Sequence, residues 1–253
     1  MNSMEERRKA IVELVNQNGY VNFSQIKERF EQVSEMTLRT DLKALDLEKK
    51  IVRIHGGAKA VQLVIGTDDY LKLRAVRNLE EKEEIAKKAA GLLSPDTVVF
   101  LDSGSTTTAL AHLFPDQSNL IYTTGMSCVT ELTGLSKPTI WIPGGRVNRY
   151  SISVYGSTVV QELERVNFHQ TYLGVTNYTS QTGFTCGNGE EANLKRVAIR
   201  QAEQVIVLMD SSKVGIKGTY SICGLEDIDI VVSDKNLPKD FLAECERHHV
   251  TVL

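Results

Sequence analysis

Six continuous apolar runs recur between residues 97 and 232, and they limit the folds open to this chain more than any other feature. Apolar runs that do not alternate with polar residues are typical of parallel strands buried on both faces. Helical segments at 161–165, 192–202 and 239–247 separate most of them, and a charged amphipathic helix at 79–93 precedes them. This succession predicts an α/β fold with an open, mostly parallel sheet. The runs are 97–101, 120–122, 139–142, 171–175, 205–209 and 228–232.

The first 60 residues follow a different pattern, with three short helices expected at about 5–16, from 23 onward, and at 34–47. We expect Ser24 to cap the second helix and Ser34 the third, because serine side chains accept hydrogen bonds from helix-start amides. The alternating segment 51–54 predicts a short strand that turns at 55–57. Three helices followed by a β-ribbon are typical of a winged helix-turn-helix. Their inward-facing residues are Ala10, Ile11, Leu14, Val15, Ile26, Phe30, Leu38, Leu42 and Leu45.

These patterns predict a DNA-binding domain at 1–59, a linker at 60–78 and a larger α/β domain at 79–253. Residues 1–60 carry 11 Lys and Arg against 9 Asp and Glu, a net charge of +2, whereas the remaining residues carry 18 against 23, a net charge of −5. The difference is modest, and it is consistent with an N-terminal domain that meets a polyanion.

Several classes of protein are not expected from the composition. The chain has no run of about 18 apolar residues, and its first residues lack the apolar stretch of a secretion signal, so we expect a cytoplasmic protein with no membrane partner. The four cysteines are widely spaced and form no Cys-x-x-Cys pair, which argues against a zinc site or a disulfide framework. Cys245, His248 and His249 are explained equally well as the end of a surface helix. We expect no metal and no cofactor.

The third helix carries polar side chains on the side opposite its apolar face. The N-terminal part of such a helix enters the major groove in helix-turn-helix proteins, where Arg can hydrogen-bond to guanine O6 and N7. The alternative is an ordinary solvated helix face, which the three-helix spacing and the β-ribbon disfavour. The candidate DNA-binding residues are Ser34, Thr37, Arg39, Thr40, Lys43, Arg53 and His55.

A loop rich in Gly, Ser and Thr follows the first apolar run, from Asp102 to Thr108. It opens a helix, and helix N-termini offer unpaired N–H groups and a partial positive charge to anions. Gly104 lets the backbone approach an anion closely. The segment is therefore a candidate phosphate-binding loop at the carboxyl end of a strand; the alternative is a capped turn, since Ser and Thr favour helix starts.

Charged residues placed just after other strands are further candidates for contact with the same anion. Lys195 lies early in a helix, Asp210 and Lys213 follow a strand, and Gly145 with Arg146 follows another. The segment 187–192 matches a G-x-G-x-x-A dinucleotide motif, but two carboxylates stand where a pyrophosphate would lie, and no long strand precedes it.

Taken in order, these segments resemble the DeoR family of transcriptional regulators over nearly the whole chain. The matching stretches are 33–42 and 53–58 in the DNA-binding part, and 101–107, 143–145, 173–174, 191–196 and 210–213 in the rest. The resemblance implies a sensor domain similar in fold to ribose-5-phosphate isomerase. It also implies a phosphate contact by the loop from Ser103 to Thr107 and a second by Lys213. The effector-binding candidates are Asp102, Ser103, Gly104, Ser105, Thr106, Thr107, Thr124, Gly145, Arg146, Glu191, Lys195, Asp210 and Lys213.

Three positions depart from the family pattern. Thr40 stands where a second Arg is common, Lys49 where Gly is common in the wing turn, and Thr124-Gly125 where Thr-Asn is common. The first departure bears on base preference and the last on the effector pocket.

The function expected from the sequence is a repressor of a carbohydrate uptake or catabolism operon. It binds double-stranded operator DNA as a homo-oligomer, a dimer or tetramer, and is released by a phosphorylated sugar. Two heads on related half-sites are needed because one recognition helix covers only a few base pairs. The alternatives are a sugar-phosphate isomerase-like enzyme, which would not need the N-terminal domain, and a DNA-binding protein without an effector.

Overall fold

The computed structural model describes residues 4–18, 20–48, 50–54, 56–60 and 71–253. Contacts within the chain divide it into two units, Met1–Ile65 and Gly66–Leu253, here called the head and the body. The domain limits expected at residues 59 and 79 stay a prediction, and residues 61–70 of the expected linker lie outside the described residues. Helix α4, Leu71–Ala75, falls within the segment expected to be a linker.

The head contains three helices and a three-stranded antiparallel sheet. Its helices are α1 (Met4–Asn18), α2 (Phe23–Arg29) and α3 (Glu35–Leu47), and its strands are β1 (Tyr20–Asn22), β2 (Ile51–Ile54) and β3 (Gly57–Ala60). Strand β3 lies between β1 and β2. The apolar stripes predicted from the helical period form the core of the head, in which Ile11, Ile26 and Leu38 are fully buried. The predicted helix-turn-helix with its β-ribbon is confirmed.

Side-chain caps decide where α2 and α3 begin. Ser34 caps α3 as predicted, because its hydroxyl accepts a hydrogen bond from the amide of Thr37. The cap predicted for α2, Ser24, is wrong. The side chain of Asn22 accepts from the Gln25 amide at 2.8 Å, and the Gln25 side chain accepts from the Asn22 amide at 2.9 Å. This reciprocal pair satisfies two helix-start amides at once, so the helix begins at Phe23.

The body is built on a seven-stranded sheet in which every neighbouring pair is parallel. All six apolar runs contribute a strand to it, and apolar side chains pack on the sheet in two core clusters. In spatial order the strands are β15 (Thr251–Val252), β14 (Ile230–Val232), β12 (Ala202–Leu208), β9 (Phe168–Gly174), β4 (Thr97–Leu101), β5 (Asn119–Thr123) and β6 (Thr139–Trp141). The helices after α4 are α5 (Leu79–Ala90), α6 (Ser105–His112), α7 (Met126–Leu132), α8 (Ser157–Leu163), α9 (Gly189–Arg200) and α10 (Lys239–Arg247).

Two smaller sheets add to the body and were not predicted. Strands β7 (Arg146–Asn148) and β8 (Ser153–Tyr155) form an antiparallel hairpin. Strands β10 (Asn177–Thr179), β11 (Gly183–Cys186) and β13 (Tyr220–Cys223) form an antiparallel sheet. Both sheets use strands of three or four residues, too short to produce a continuous apolar run.

The order of the strands creates a switch point between β4 and β9. The chain passes from β4 to β5 and β6, then returns to β9 on the other side of β4 and continues through β12, β14 and β15. At such a reversal the connections after the two central strands diverge, and the crevice between them is where open α/β sheets bind ligands. Residues 102–104 follow β4, and β9 ends at Gly174, so both line the place where a ligand is expected.

Candidate functional site

The outer side of α3 forms a shallow concave surface in the head, here called the α3 surface. It brings together four predicted DNA-binding residues and two that were not predicted, Glu35 and Met36. Met36 is 78% exposed, and an exposed apolar side chain on a recognition helix can contact the methyl group of thymine. The four predicted members are Arg39, Thr40, Lys43 and Arg53.

Arg39 is held in place while its guanidinium stays open to solvent. Its Cζ lies 4.2 Å from the centre of the Phe23 ring, and one of its terminal nitrogens lies 3.6 Å from Glu35 Oε2. The side chain is nevertheless 63% exposed. A cation over an aromatic face is attracted without surrendering its outward hydrogen-bond donors. Phe23 therefore orients Arg39, a role that the helical pattern did not indicate.

The other predicted DNA-binding residues contribute in different ways. The hydroxyls of Ser34 and Thr37 lie 2.8 Å apart at the start of α3, and Thr40 Oγ1 donates to the carbonyl of Met36 at 2.9 Å. The amide of Arg53 donates to Asp46 Oδ1 at 2.8 Å, which ties strand β2 to α3. His55 and Lys49 lie outside the described residues.

A buried carboxylate fixes α3 against α1. Asp41 is 2% exposed and accepts from Arg7 Nε at 2.6 Å and from Arg8 Nε at 2.9 Å. Arg8 also lies 3.3 Å from Glu48. Two arginines of one helix thus hold one carboxylate of the other, so the orientation of α3 in the head depends on this cluster.

In the body, a small polar cavity opens at the switch point. It is lined by four of the predicted effector-binding residues and by several polar residues that sequence reasoning missed. The missed residues come mainly from the β7–β8 hairpin, whose buried polar side chains face the end of β4. The lining residues are Asp102, Ser103, Thr124, Asn148, Ser151, Ser153, Val154, Tyr155, Asn188, Glu191 and Leu194.

The charged centre of this cavity is an ion pair between Asp102 and Lys195, both 1% exposed. Lys195 Nζ donates to Asp102 Oδ2 and to the carbonyl of Gly174 at 2.8 Å, and lies 3.0 Å from Glu191 Oε1. Asp102 Oδ2 also accepts from the Gly174 amide at 2.9 Å. The buried Asp102 Oδ1 has no hydrogen-bond partner among the described residues. An unpaired buried carboxylate oxygen can accept a hydrogen bond from a ligand hydroxyl.

Burial and charge act in opposite directions on Lys195. Burial by itself lowers the pKa of a lysine, but the carboxylates of Asp102 and Glu191 outweigh it and raise the pKa of Lys195 above its usual value. The lysine is therefore a fixed cation behind Asp102 and Glu191, the two carboxylates that line the cavity.

The loop after β4 has the backbone predicted for close approach of a ligand. Gly104 adopts φ 145°, a conformation that favours glycine, and stands immediately before α6. Ser103 and Thr106 are nearly buried. The fully buried Thr107 donates its hydroxyl to the carbonyl of Gly104 at 3.0 Å. This bond ties the first turn of α6 to the loop, but no side chain caps the start of α6.

The departure at Thr124-Gly125 has a packing explanation. A Cβ at position 125 would lie 3.1 Å from Ser103 Cα and 3.1 Å from Cys128 Sγ. The loop after β5 therefore packs directly on the loop after β4, which leaves little room for an asparagine there. Thr124 lines the cavity.

The other predicted effector residues do not line this cavity. Lys213 Nζ donates to the carbonyl of Val175 at 2.8 Å and lies 3.7 Å from Asp210 Oδ2, so this pair flanks the end of β9 at the residue after Gly174. Arg146 lies on the surface, 2.8 Å from Glu190 and 4.7 Å from the centre of the Tyr155 ring. Gly145 is exposed, and a Cβ there would meet the carbonyl of Tyr155 at 2.7 Å.

Two absences hold for the part of the chain that the structure describes. None of its helices combines the length and apolar character needed to cross a membrane. No group of three His, Cys, Asp or Glu side chains among those residues is arranged to hold a metal ion. Cys245 is fully buried and belongs to the core of the body.

Family models match both parts of the chain. A DeoR-like helix-turn-helix domain matches residues 7–63, and a DeoR C terminal sensor domain matches residues 77–235. The HTH-type transcriptional regulator GlpR of Haloferax volcanii is 31% identical over 248 residues, covering 98% of this chain and 96% of that protein. The glycerol-3-phosphate regulon repressor of Escherichia coli is 28% identical over 246 residues, covering 97% and 96%.

Solved structures of ribose 5-phosphate isomerase match part of the chain. The isomerase from Methanocaldococcus jannaschii is 16% identical to this chain, with a TM-score of 0.39. The match covers 53% of this chain and 53% of the isomerase chain.

Proposed function

Because the chain belongs to the DeoR family of transcriptional regulators, we propose that it represses a carbohydrate uptake or catabolism operon and is released by a phosphorylated sugar. A relative named as a glycerol-3-phosphate regulon repressor supports both the repressor role and an effector that carries a phosphate group.

The observation that carries the DNA-binding role is the α3 surface. Arg39, Lys43 and Arg53 extend into solvent from one face of α3 and the neighbouring strand β2. In this arrangement Arg39 is the base-contacting residue, while Lys43 and Arg53 are placed for phosphates. His55 remains part of the proposed interface from the sequence alone.

The effector role is supported by the two groups of charged residues at the end of β9. The cavity around Asp102, Glu191 and Lys195 suits the hydroxyl groups of a sugar, because it offers a free carboxylate oxygen and a fixed cation. The loop 103–107 and Lys213 suit the phosphate. Gly145 and Arg146 lie at the margin of this region and belong to the proposal on sequence grounds.

The salt dependence of operator binding tests the DNA-binding role. If two heads each neutralise phosphates, log K should fall linearly with log salt, with a slope of about −0.9 per phosphate contacted. We expect the slope of a homo-oligomer to become shallower for Lys43→Gln, and a surface control in the body, Arg165→Gln, to leave it unchanged. A nearly flat slope for the parent would rule out DNA as the partner.

An isomerase-like activity is the second candidate, and a specific observation favours testing it. Asp102, Glu191 and Lys195 place two carboxylates and an ammonium in one buried cavity, and such groups can transfer protons. Turnover of a panel of sugar phosphates by the purified chain would support an enzyme. Effector binding without turnover would support a sensor.

A further inference from the structure

A cluster of cationic side chains lies at the end of β12, where Lys213 and Lys82 act on the carboxylate of Asp210. Lys213 contacts it directly, and the charges of Arg74 and Arg77 act on the neighbouring Lys82. Arg74 also acts on Lys213. Arg74, Arg77 and Lys82 come from the segment 71–82, which includes α4 and the start of α5 and is called here the α4 segment. The carboxylate of Asp210 acts on both Lys82 and Lys213.

The α4 segment is bonded to the cluster through its backbone and through Asn78. Lys82 is 6% exposed, and its Nζ donates to the carbonyls of Arg74 and Arg77. Asn78, with φ 52°, donates from Nδ2 to Asp210 Oδ1 at 2.9 Å and to Ser212 Oγ at 3.1 Å. The end of α4 is therefore attached to the same loop that carries Lys213.

Among the described residues of the cluster, the ammonium groups of Lys82 and Lys213 share the single carboxylate of Asp210, and one buried donor of Arg74 has no partner. Burial, and after it the charge of Lys213, lower the pKa of Lys82 to about 8. Burial also lowers the pKa of Lys213, against the attraction of Asp210. The buried Nε of Arg74 has no hydrogen-bond partner among the described residues. Like charges held together with an unpaired donor are stabilised by a bound anion.

We propose that Arg74 and Lys213 together bind the phosphate group of the effector, so that the effector sets the position of α4. The proposal rests on the function proposed above and adds to it a ligand residue outside the predicted set. Helix α4 packs against α6, whose first residue, Ser105, belongs to the predicted phosphate loop, and both helices line one groove. The phosphate is thus contacted from the loop after β4, from Lys213 and from α4.

This arrangement connects ligand binding in the body with α4, the helix that follows the head in the chain. Helix α4 is the first described element after residue 60 in the chain. Its first residue, Leu71, donates its amide to the carbonyl of Tyr150 at 2.7 Å, in the turn between β7 and β8 that contributes Ser151 to the cavity. The α4 segment is therefore bonded, through Leu71 and through Asn78, to segments that border the proposed effector site. A ligand that favours one position of α4 shifts the equilibrium between states of the regulator.

The experiment measures binding of inorganic phosphate to the full chain by calorimetry, in the parent and in three variants. Arg74→Gln removes the guanidinium charge, Lys213→Gln removes the ammonium, and Arg165→Gln removes a surface charge after α8, at the opposite end of β9. We expect the first two to weaken phosphate binding about tenfold or more, since each loses a charge-assisted hydrogen bond. The control should bind like the parent. Arg74→Lys, which keeps a charge, should recover part of the loss and shows that the site still folds.

Hydrogen exchange supplies the second measurement. Phosphate should slow amide exchange in the segment 71–82 of the parent and leave it unchanged in Arg74→Gln. Parent-like phosphate binding by Arg74→Gln would overturn the proposal, as would a parent that does not bind phosphate. If phosphate binding were weakened only in Lys213→Gln, the phosphate site would not include α4 and the proposal would be overturned. Operator binding measured without phosphate does not depend on these outcomes. A parent protein that does not bind operator DNA would count against the proposed function, not against the phosphate site.

Discussion

The two candidate sites of this protein hold their charges in opposite ways. Arg39 on the α3 surface is 63% exposed and is steadied by an aromatic ring, whereas Lys195 in the body is 1% exposed and is surrounded by carboxylates. A surface that binds a long polyanion needs cations that extend into solvent. Salt screens the attraction between these cations and the polyanion. A site that discriminates one small metabolite gains from desolvated groups, whose hydrogen bonds are stronger. Because the charges of the effector site are buried, the stability of the body depends on that site.

The largest difference between the sites should therefore appear in stability. Lys195→Met leaves the carboxylate of Asp102 buried without its partner, and breaking a buried pair in this way costs about 3–5 kcal/mol. We expect the free energy of unfolding of the body to fall by that amount. The single tryptophan, Trp141, lies in β6 and allows the body to be followed by fluorescence during denaturation in urea.

A matched control and a double variant sharpen this test. Arg146→Ala removes an exposed ion pair in the same domain, which should cost less than about 1 kcal/mol. Adding Asp102→Asn to Lys195→Met removes the stranded charge and should recover part of the stability. Equal losses for Lys195→Met and Arg146→Ala would mean that the buried pair does not differ from a surface pair.

The α3 surface should show the reverse behaviour, a loss of binding without a loss of stability. Arg39→Ala removes a bidentate base contact that contributes about 1–3 kcal/mol of discrimination in each head. Its ion pair with Glu35 is exposed, so thermal unfolding should be nearly unchanged. Fluorescence anisotropy with an operator selected from random DNA gives the affinity, and random DNA of the same length is the control. A variant that keeps the parental preference for the operator would remove Arg39 from the base-contacting set.

A smaller effect is expected from the ring that orients Arg39. Phe23→Leu removes the cation–π contact, which contributes about 0.5–1 kcal/mol at exposed sites, a loss of roughly two- to fivefold in affinity per head. Phe23→Tyr keeps an aromatic face and should bind like the parent. If leucine and tyrosine behave alike in the same anisotropy assay, Phe23 acts only as part of the core packing.

The sequence predicts the parts of the molecule that depend on local periodicity. The stripe on α3, the cap at Ser34 and the buried run that becomes β4 all follow from contacts between residues close in the chain. The cap at Asn22 could also have been predicted, because Asn22 and Gln25 have the spacing of a capping box. Ser24 has the right chemistry but no partner of this kind at the required distance along the chain.

Other features depend on contacts between distant segments. The β7–β8 hairpin places Asn148, Ser151 and Ser153 in the cavity, but its strands have three residues each and leave no pattern in the sequence. Lys82 belongs to a highly charged helix and has the composition of a solvated face. It is nevertheless buried because it shares a face with Ile85 and Ala89, three and seven residues further on. The helical period indicates that face, but the carbonyls that accept from Lys82 come from α4 and the turn after it.

The most direct test of the account is the occupancy of the operator by the full chain, titrated with sugar phosphates and with the matching unphosphorylated sugars. The account predicts that a phosphorylated sugar releases the parent and that its unphosphorylated form does not. Thr106→Val removes a hydroxyl from the first turn of α6, and we expect release of this variant to require about tenfold more effector. Release by both forms of the sugar, or overlapping curves for the parent and Thr106→Val, would contradict a phosphate-sensing site at the end of β4.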